Sequence, residues 1–352
     1  MSSTAEPYVV AVRSLCEFTA KHGDLDLRFT PSATALEGIA GHAAVAARRG
    51  PQYQAELSLS GAYENLVVRG RADGYDAAQN RLEEVKAYRG DLALMPDNRR
   101  TLHWAQAKVY GALLCRQLGL AEVHLALVYF DVATQTETVL RETHSAAALQ
   151  QVFEDQCRSF LAWAAQESAH RLRRDAALAA LAFPHTAFRA GQRELSEAVY
   201  RAAVSGRCLM AQAPTGIGKT IATLFAQLKA APGQRIDKVF YLAAKTPGRA
   251  LALEGLATLR RGAADAATLL QGTAQAEAHP PGGAGGLPLR VLELVARDKA
   301  CEHPDKACHG DSCPLARGFY DRLPQARGAA LALGQQDRAG VRGVALAYQV
   351  CP

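Results

Sequence analysis

The chain has 352 residues, 49% of them hydrophobic and 21% charged, with a formal net charge of +6. That composition excludes disordered, collagen-like and coiled-coil chains, and at about 150 residues per domain it predicts about two domains with sizeable cores. No apolar run approaches the roughly 18–20 residues that span a bilayer, and the opening MSSTAEPYVV lacks the basic start and apolar stretch of a signal peptide. Residues 33–49 are Ala-rich and free of Pro, which predicts a helix. Residues 54–60 and 64–73 alternate as strands joined at Gly61, and 81–88 form a third strand. Residues 101–118 predict a helix, with Leu102, Val109, Leu113 and Leu114 on its apolar side. A buried-type strand over 123–132 and another over 137–142 follow, then a long helix from Ser145, its N-cap, to about Leu181. This order predicts an α/β domain with a mixed sheet over residues 1–181.

Phe183 and Pro184 break that helix. Beyond them a short helix over 192–204 precedes a strand over 207–212, a Gly-rich loop, a helix from Lys219 to about Ala230, and a strand over 238–243. Residues 262–288 are rich in Ala, Gly and Pro and predict a loop or loose insertion. The charge is uneven along the chain. Residues 1–180 carry 19 Lys/Arg against 21 Asp/Glu, and residues 181–352 carry 21 against 13. The basic second half suits either a polyanion partner or a solubilising surface.

Residues 213–220 read APTGIGKT, a phosphate-binding loop with Ala in place of its first Gly. A strand before it and a helix after it are the context this motif requires. Thr215, Gly216 and Gly218 shape a loop whose N–H groups point at phosphate oxygens. Lys219 would reach the terminal phosphates of ATP, and Thr220 would offer its hydroxyl to Mg2+. Upstream lies FRAGQRE at 188–194, and downstream YLAAKT at 241–246. These flanks resemble the adenine-reading segment and the strand-contacting motif Ia of superfamily 2 helicases. The resemblance implies that Gln192 hydrogen-bonds adenine and Arg189 supports it.

Eight cysteines are present, and four of them, Cys301, Cys308, Cys313 and Cys351, crowd the last 52 positions. The chain is too long and too sparse in cysteine for a secreted disulfide scaffold, so a cytoplasmic location and a metal site are expected. Four thiolates can hold a [4Fe–4S] cluster or a structural zinc, and the gaps are not the paired C-x2-C of zinc ribbons. Their position after the motif Ia segment, ending in Cys351-Pro352, resembles the iron–sulfur helicases of the XPD and DinG group. There a cluster domain interrupts the first motor domain. His303 and His309 lie close enough to be rival ligands and are read as loop histidines. Cys16, Cys115, Cys157 and Cys208 are read as small apolar residues.

Asp73 ends one predicted strand, and Glu84 and Lys86 lie on the next. Residues two apart on a strand share a face, so Glu84 and Lys86 project together, and alternation favours Glu84 over Glu83. Two carboxylates suit Mg2+ or Mn2+, and a lysine beside them suits phosphodiester chemistry. Gln106 and Tyr110 share a face of the following helix, and His42 lies on the preceding one. Together these six resemble the RecB-like PD-(D/E)xK nucleases, with Ala72 where that group usually has Pro. The resemblance implies that His42 joins Asp73 and Glu84 as a metal ligand, and that Gln106 and Tyr110 contact DNA or steady Lys86.

The resemblance covers nearly the whole chain: a nuclease-like domain over 1–181, the first part of a helicase motor over 183–295, and a partial iron–sulfur domain over 296–352. It implies a 5′ to 3′ ATP-dependent DNA helicase with an associated nuclease, acting in DNA repair on single-stranded or forked DNA, with no membrane partner. No DEAH-type acidic box follows Thr220. The chain is therefore expected to be an N-terminal part that does not unwind DNA alone. Two other readings remain open: a non-catalytic DNA-binding or regulatory module, and a zinc-stabilised P-loop ATPase.

Overall fold

The computed structural model describes residues 7–28, 32–244, 246–271 and 287–352. The chain divides into two compact units, one of residues 1–165 with 291–352 and the other of residues 166–290. The cysteine-rich stretch thus groups with the N-terminal sheet, where the sequence divides the chain near 182 and 296. Among the described residues no helix is long and apolar enough to cross a membrane.

The first unit is built on a six-stranded mixed sheet. Its strands are β1 (Tyr8–Ala11), β2 (Tyr53–Tyr63), β3 (Leu66–Asp76), β4 (Arg81–Tyr88), β5 (Glu122–Asp131) and β6 (Glu137–Ser145). β1 runs parallel to β3 and β4 runs parallel to β5, and the other pairings are antiparallel. β5 shows why both faces are covered. Val123, Leu125, Leu127 and Tyr129 enter a large core with Leu15 of α1 (Val12–Thr19), Leu113 of α3 (Asp97–Leu118) and Phe153 of α4 (Ala146–Ala180). Ala126, Val128 and Phe130, one residue out of phase, enter a smaller core with Val45 of α2 (Ala35–Ala47). Burying both faces accounts for the nearly continuous apolar run that marks this strand.

Local signals set the helix ends. Thr34 and Glu37 form a reciprocal capping box at the start of α2, satisfying two backbone donors that the helix cannot. α3 stops at Gly119, which takes the left-handed conformation at φ 67°. Ser145 Oγ accepts from the Ala148 N–H at 3.2 Å and caps α4 as its sequence position predicts.

Three sequence expectations are corrected. Gly61 is not the hairpin turn: it pairs with Val68 inside the β2–β3 ladder, and the turn is Glu64–Asn65. In the second unit, residues 246–271 form α7 (Thr246–Gln271), so the expected loop is helical over 262–271. Its Ala-rich sequence outweighs the single Gly262. The rest of that expected loop, through 286, lies outside the described residues. Residues 207–212 and 238–243 form no strand. A strand exists through its ladder, and among the described residues neither segment has one. Their apolar side chains are correspondingly exposed, Met210 fully and Leu242 at 90%. α5 (Gln192–Ser205) and α6 (Lys219–Gln234) complete this unit's helices with α7 and the end of α4.

A candidate active site of carboxylates, lysine and histidine

The β3 strand creates the opening for the site. One edge of β3 pairs with β2 along most of its length. The other edge is shared, with β1 along Leu66–Arg69 and β4 only along Gly74–Asp76. Between them the ladder is interrupted, and Asp73 sits at the start of the gap. Its Oδ2 accepts the Val85 N–H at 2.6 Å, standing in for the missing ladder bond. Its Oδ1 lies 3.3 Å from His42 Nδ1 on α2.

β4 then delivers the next two groups. Lys86 Nζ donates to Glu84 Oε1 at 2.5 Å. Glu83 leaves in the other direction and is 1% exposed, paired with Arg49 at 2.9 Å and Arg81 at 2.8 Å. Strand alternation therefore sends two adjacent carboxylates to opposite faces and different partners. α3 supplies Gln106 and Tyr110, both buried. Gly70 on β3 makes room for Tyr110, because a Cβ there would lie 2.6 Å from the tyrosine oxygen.

Electrostatics couple these groups. Burial raises the Glu84 carboxyl pKa, and the Asp73 charge adds to it while Lys86 opposes it. Burial alone would lower Lys86, but the Glu84 and Asp73 charges outweigh it and raise the ammonium pKa. His42 is raised chiefly by its bond to Asp73. Burial raises Tyr110, with Glu84 and Asp73 adding to it, so the phenol stays protonated. Beside them burial lowers His103 to about 3, with Lys86, Arg99 and Arg100 assisting, so it is neutral and bonds Tyr129 Oη at 3.0 Å.

One further residue belongs here that sequence reasoning missed. His42, Glu56 and Asp73 present ligand atoms within 4.8 Å of one another, the one such group among the described residues. Glu56 lies on β2 between Ala55 and Leu57, which pair with Gly74 and Ala72 on either side of Asp73, and takes φ 54°, a conformation rare for a non-glycine residue in a strand. Its carboxylate also lies 3.5 Å from Arg71. Of the expected metal set, His42 and Asp73 come together with Glu56, while Glu84 is turned to Lys86. A hard divalent cation takes oxygen ligands and tolerates an imidazole, so the donor set fits Mg2+ or Mn2+.

The nucleotide-loop residues lie in the second unit. Gly216 and Gly218 take φ 90° and 83°, values that glycine adopts without strain. Arg189 Nη1 donates to the Gly216 carbonyl at 2.7 Å, and Gln192 Nε2 to the Gly218 carbonyl at 3.2 Å. The Gln192 Oε1 accepts the Arg189 N–H at 3.0 Å. Lys219 Nζ folds back onto the carbonyls of Ala213 and Pro214 at 3.0 and 2.8 Å. Thr220 opens α6 beside it, and Thr215 is exposed on the loop. The residues fit a phosphate group: a released Lys219 and the N-terminus of α6 would face it together.

The four cysteines share the first unit. Cys313 is buried, and Cys301, Cys308 and Cys351 are half-buried. Burial raises the Cys351 thiol pKa, and the other three cysteines add to it, which places all four within electrostatic reach. No three of their sulfurs lie within 4.8 Å of one another. Tetrahedral zinc with Zn–S near 2.3 Å would hold them about 3.8 Å apart. His309 Nε2 bonds Ser312 Oγ at 2.9 Å, in keeping with a loop histidine.

No family model matches this chain, and no curated protein matches it. A solved structure described as "Crystal structure of SSO0001" is similar over 45% of this chain and 79% of its own, at 17% identity and a TM-score of 0.29. A likeness of that extent carries no argument about fold or function.

Proposed function

We infer that this chain pairs a metal-dependent DNA nuclease site with a nucleotide-binding loop of the iron–sulfur helicase type. The observation that carries the nuclease reading is the convergence of His42 and Asp73 with Glu84 and Lys86 at a gap in one sheet. Asp73, His42 and Glu56 would hold Mg2+ or Mn2+, with Glu84 beside them. The ion, when bound, supplies charge neutralisation and an activated water. Lys86 lies where it can orient that water or meet the charge that develops on the phosphate. Glu84 keeps Lys86 protonated and in place. Tyr110 borders the site on the α3 side.

The helicase part of the reading rests on the bonds of Gln192 and Arg189 to the loop carbonyls. An incoming nucleotide would make its base contacts through side chains already tied to the phosphate loop. The cluster part is supported by four cysteines of one unit lying within electrostatic reach of one another. Single-stranded or forked DNA is the substrate class, since phosphate charge dominates such binding and residues 181–352 are basic. The test is Mg2+-dependent cleavage of single-stranded DNA by the wild-type chain and by Lys86→Ala. Equal rates would remove the nuclease reading.

A further inference from the structure

The segment 20–28 leaves α1 and leads toward α2, which carries His42. It is held by the cysteine-bearing stretch. The Leu25 N–H donates to the Ala316 carbonyl and the Leu27 N–H to the Cys308 carbonyl, both at 2.8 Å. The Tyr320 N–H donates to the Gly23 carbonyl at 3.0 Å. The Gly23 N–H donates to Asp321 Oδ1 at 3.0 Å, and the Gly318 N–H to Asp24 Oδ1 at 2.6 Å. Asp24 also packs so closely on Gly310 that no Cβ would fit there. Arg327 lies 4.9 Å from the Phe18 ring on α1. On its other side the segment is tied to α3, because the Asp24 carbonyl accepts from Asn98 Nδ2 at 2.7 Å. α3 is the helix of Gln106 and Tyr110.

The cysteine-bearing stretch has little of its own to hold this shape. Residues 301–318 contain no helix or strand. The buried apolar cluster beside them is Ala326, Ala345 and Val350. A module with so small a core needs a covalent or metal staple to stay folded.

We propose that the four-cysteine module is a ligation-dependent brace for the carboxylate site. With Cys301, Cys308, Cys313 and Cys351 ligated, the loop holds residues 20–28 between the module and α3. Loss of the ligated group releases that segment, and with it the anchoring of α1 and α3, which flank the carboxylate site. Only the activity consequence rests on the nuclease reading; the structural brace does not.

The full chain is treated with limiting trypsin, and cleavage after Lys21 and Arg28 is followed by mass spectrometry. Cys308→Ser is compared with wild type, and iron and zinc content is measured in each. Asp24→Ala removes the docking carboxylate and leaves all four cysteines, and Asp24→Asn serves where the alanine variant does not fold. The expected result is cleavage roughly tenfold faster in Cys308→Ser and in the Asp24 variant, the latter with its metal content kept. DNA cleavage falls alongside in both. Unchanged protection of residues 20–28 in a Cys308→Ser chain that has lost its metal would overturn the proposal. If the wild type cuts no DNA, the nuclease reading fails while the protease result still decides the brace.

Discussion

The two candidate sites are held in place by different means. The carboxylate site hangs on backbone ladders: β3 and β4 fix Asp73, Glu84 and Lys86, and helices cover both faces of the sheet. The phosphate loop lies between segments that have no ladder among the described residues, and side chains hold it. Arg189 and Gln192 bond its carbonyls, and Lys219 bonds the loop to itself. Ladder-held groups keep their geometry through single losses among the site's own side chains, provided the sheet and its covering helices stay in place. Side-chain-held loops change shape when one partner is lost or when a ligand competes for it. The first unit should therefore be broken by mutations that attack the sheet, and its chemistry sharpened by mutations that do not.

Among substitutions, the largest stability effect at neutral pH is expected from Arg49→Ala. It leaves buried Glu83 with one of its two arginines and should cost about 2–3 kcal/mol in denaturant unfolding. A change near zero would show that the buried ion network does not hold this end of the sheet. Glu56→Gln is next. It should weaken Mn2+ binding about tenfold, read by titration calorimetry, and leave unfolding unchanged. Unaltered Mn2+ affinity would remove Glu56 from the ligand set. A pH dependence is expected as well. His103 titrates at about 3 when folded, against 6.5 as its ordinary value. Between those values the unfolded chain binds the extra proton, so stability falls as pH drops from about 6.5 toward 3, by up to about 1.4 kcal/mol per pH unit. His103→Gln should flatten that slope in unfolding curves taken between pH 7 and 4, and an unchanged slope would place the sensitivity elsewhere.

Much of the carboxylate site was legible in the sequence because it obeys short-range periods. The two-residue spacing of Glu84 and Lys86 and the four-residue spacing of Gln106 and Tyr110 are visible without a structure. Glu56 was not, because its role depends on which residue of β3 it faces and on a backbone angle that no composition signals. Gly61 misled for a related reason: glycine punctuates turns, but it also sits inside ladders. The strands expected at 207–212 and 238–243 had the right residues, yet strand formation needs neighbours that local sequence does not supply. The docking of residues 23–27 on the cysteine module joins positions as far as 298 apart, beyond any local pattern. The mixed α/β architecture itself followed from the order of periodic segments.

Under the proposed function, Lys86 and its carboxylates would cleave DNA with a metal ion independently of the phosphate loop. This is tested most directly by measuring Mg2+-dependent cleavage of single-stranded DNA, without ATP, by wild type, Lys86→Ala and Lys219→Ala. The account predicts that Lys86→Ala lowers the rate by about a hundredfold or more and that Lys219→Ala leaves it unchanged. Equal cleavage by wild type and Lys86→Ala, or loss of cleavage in Lys219→Ala, would contradict it.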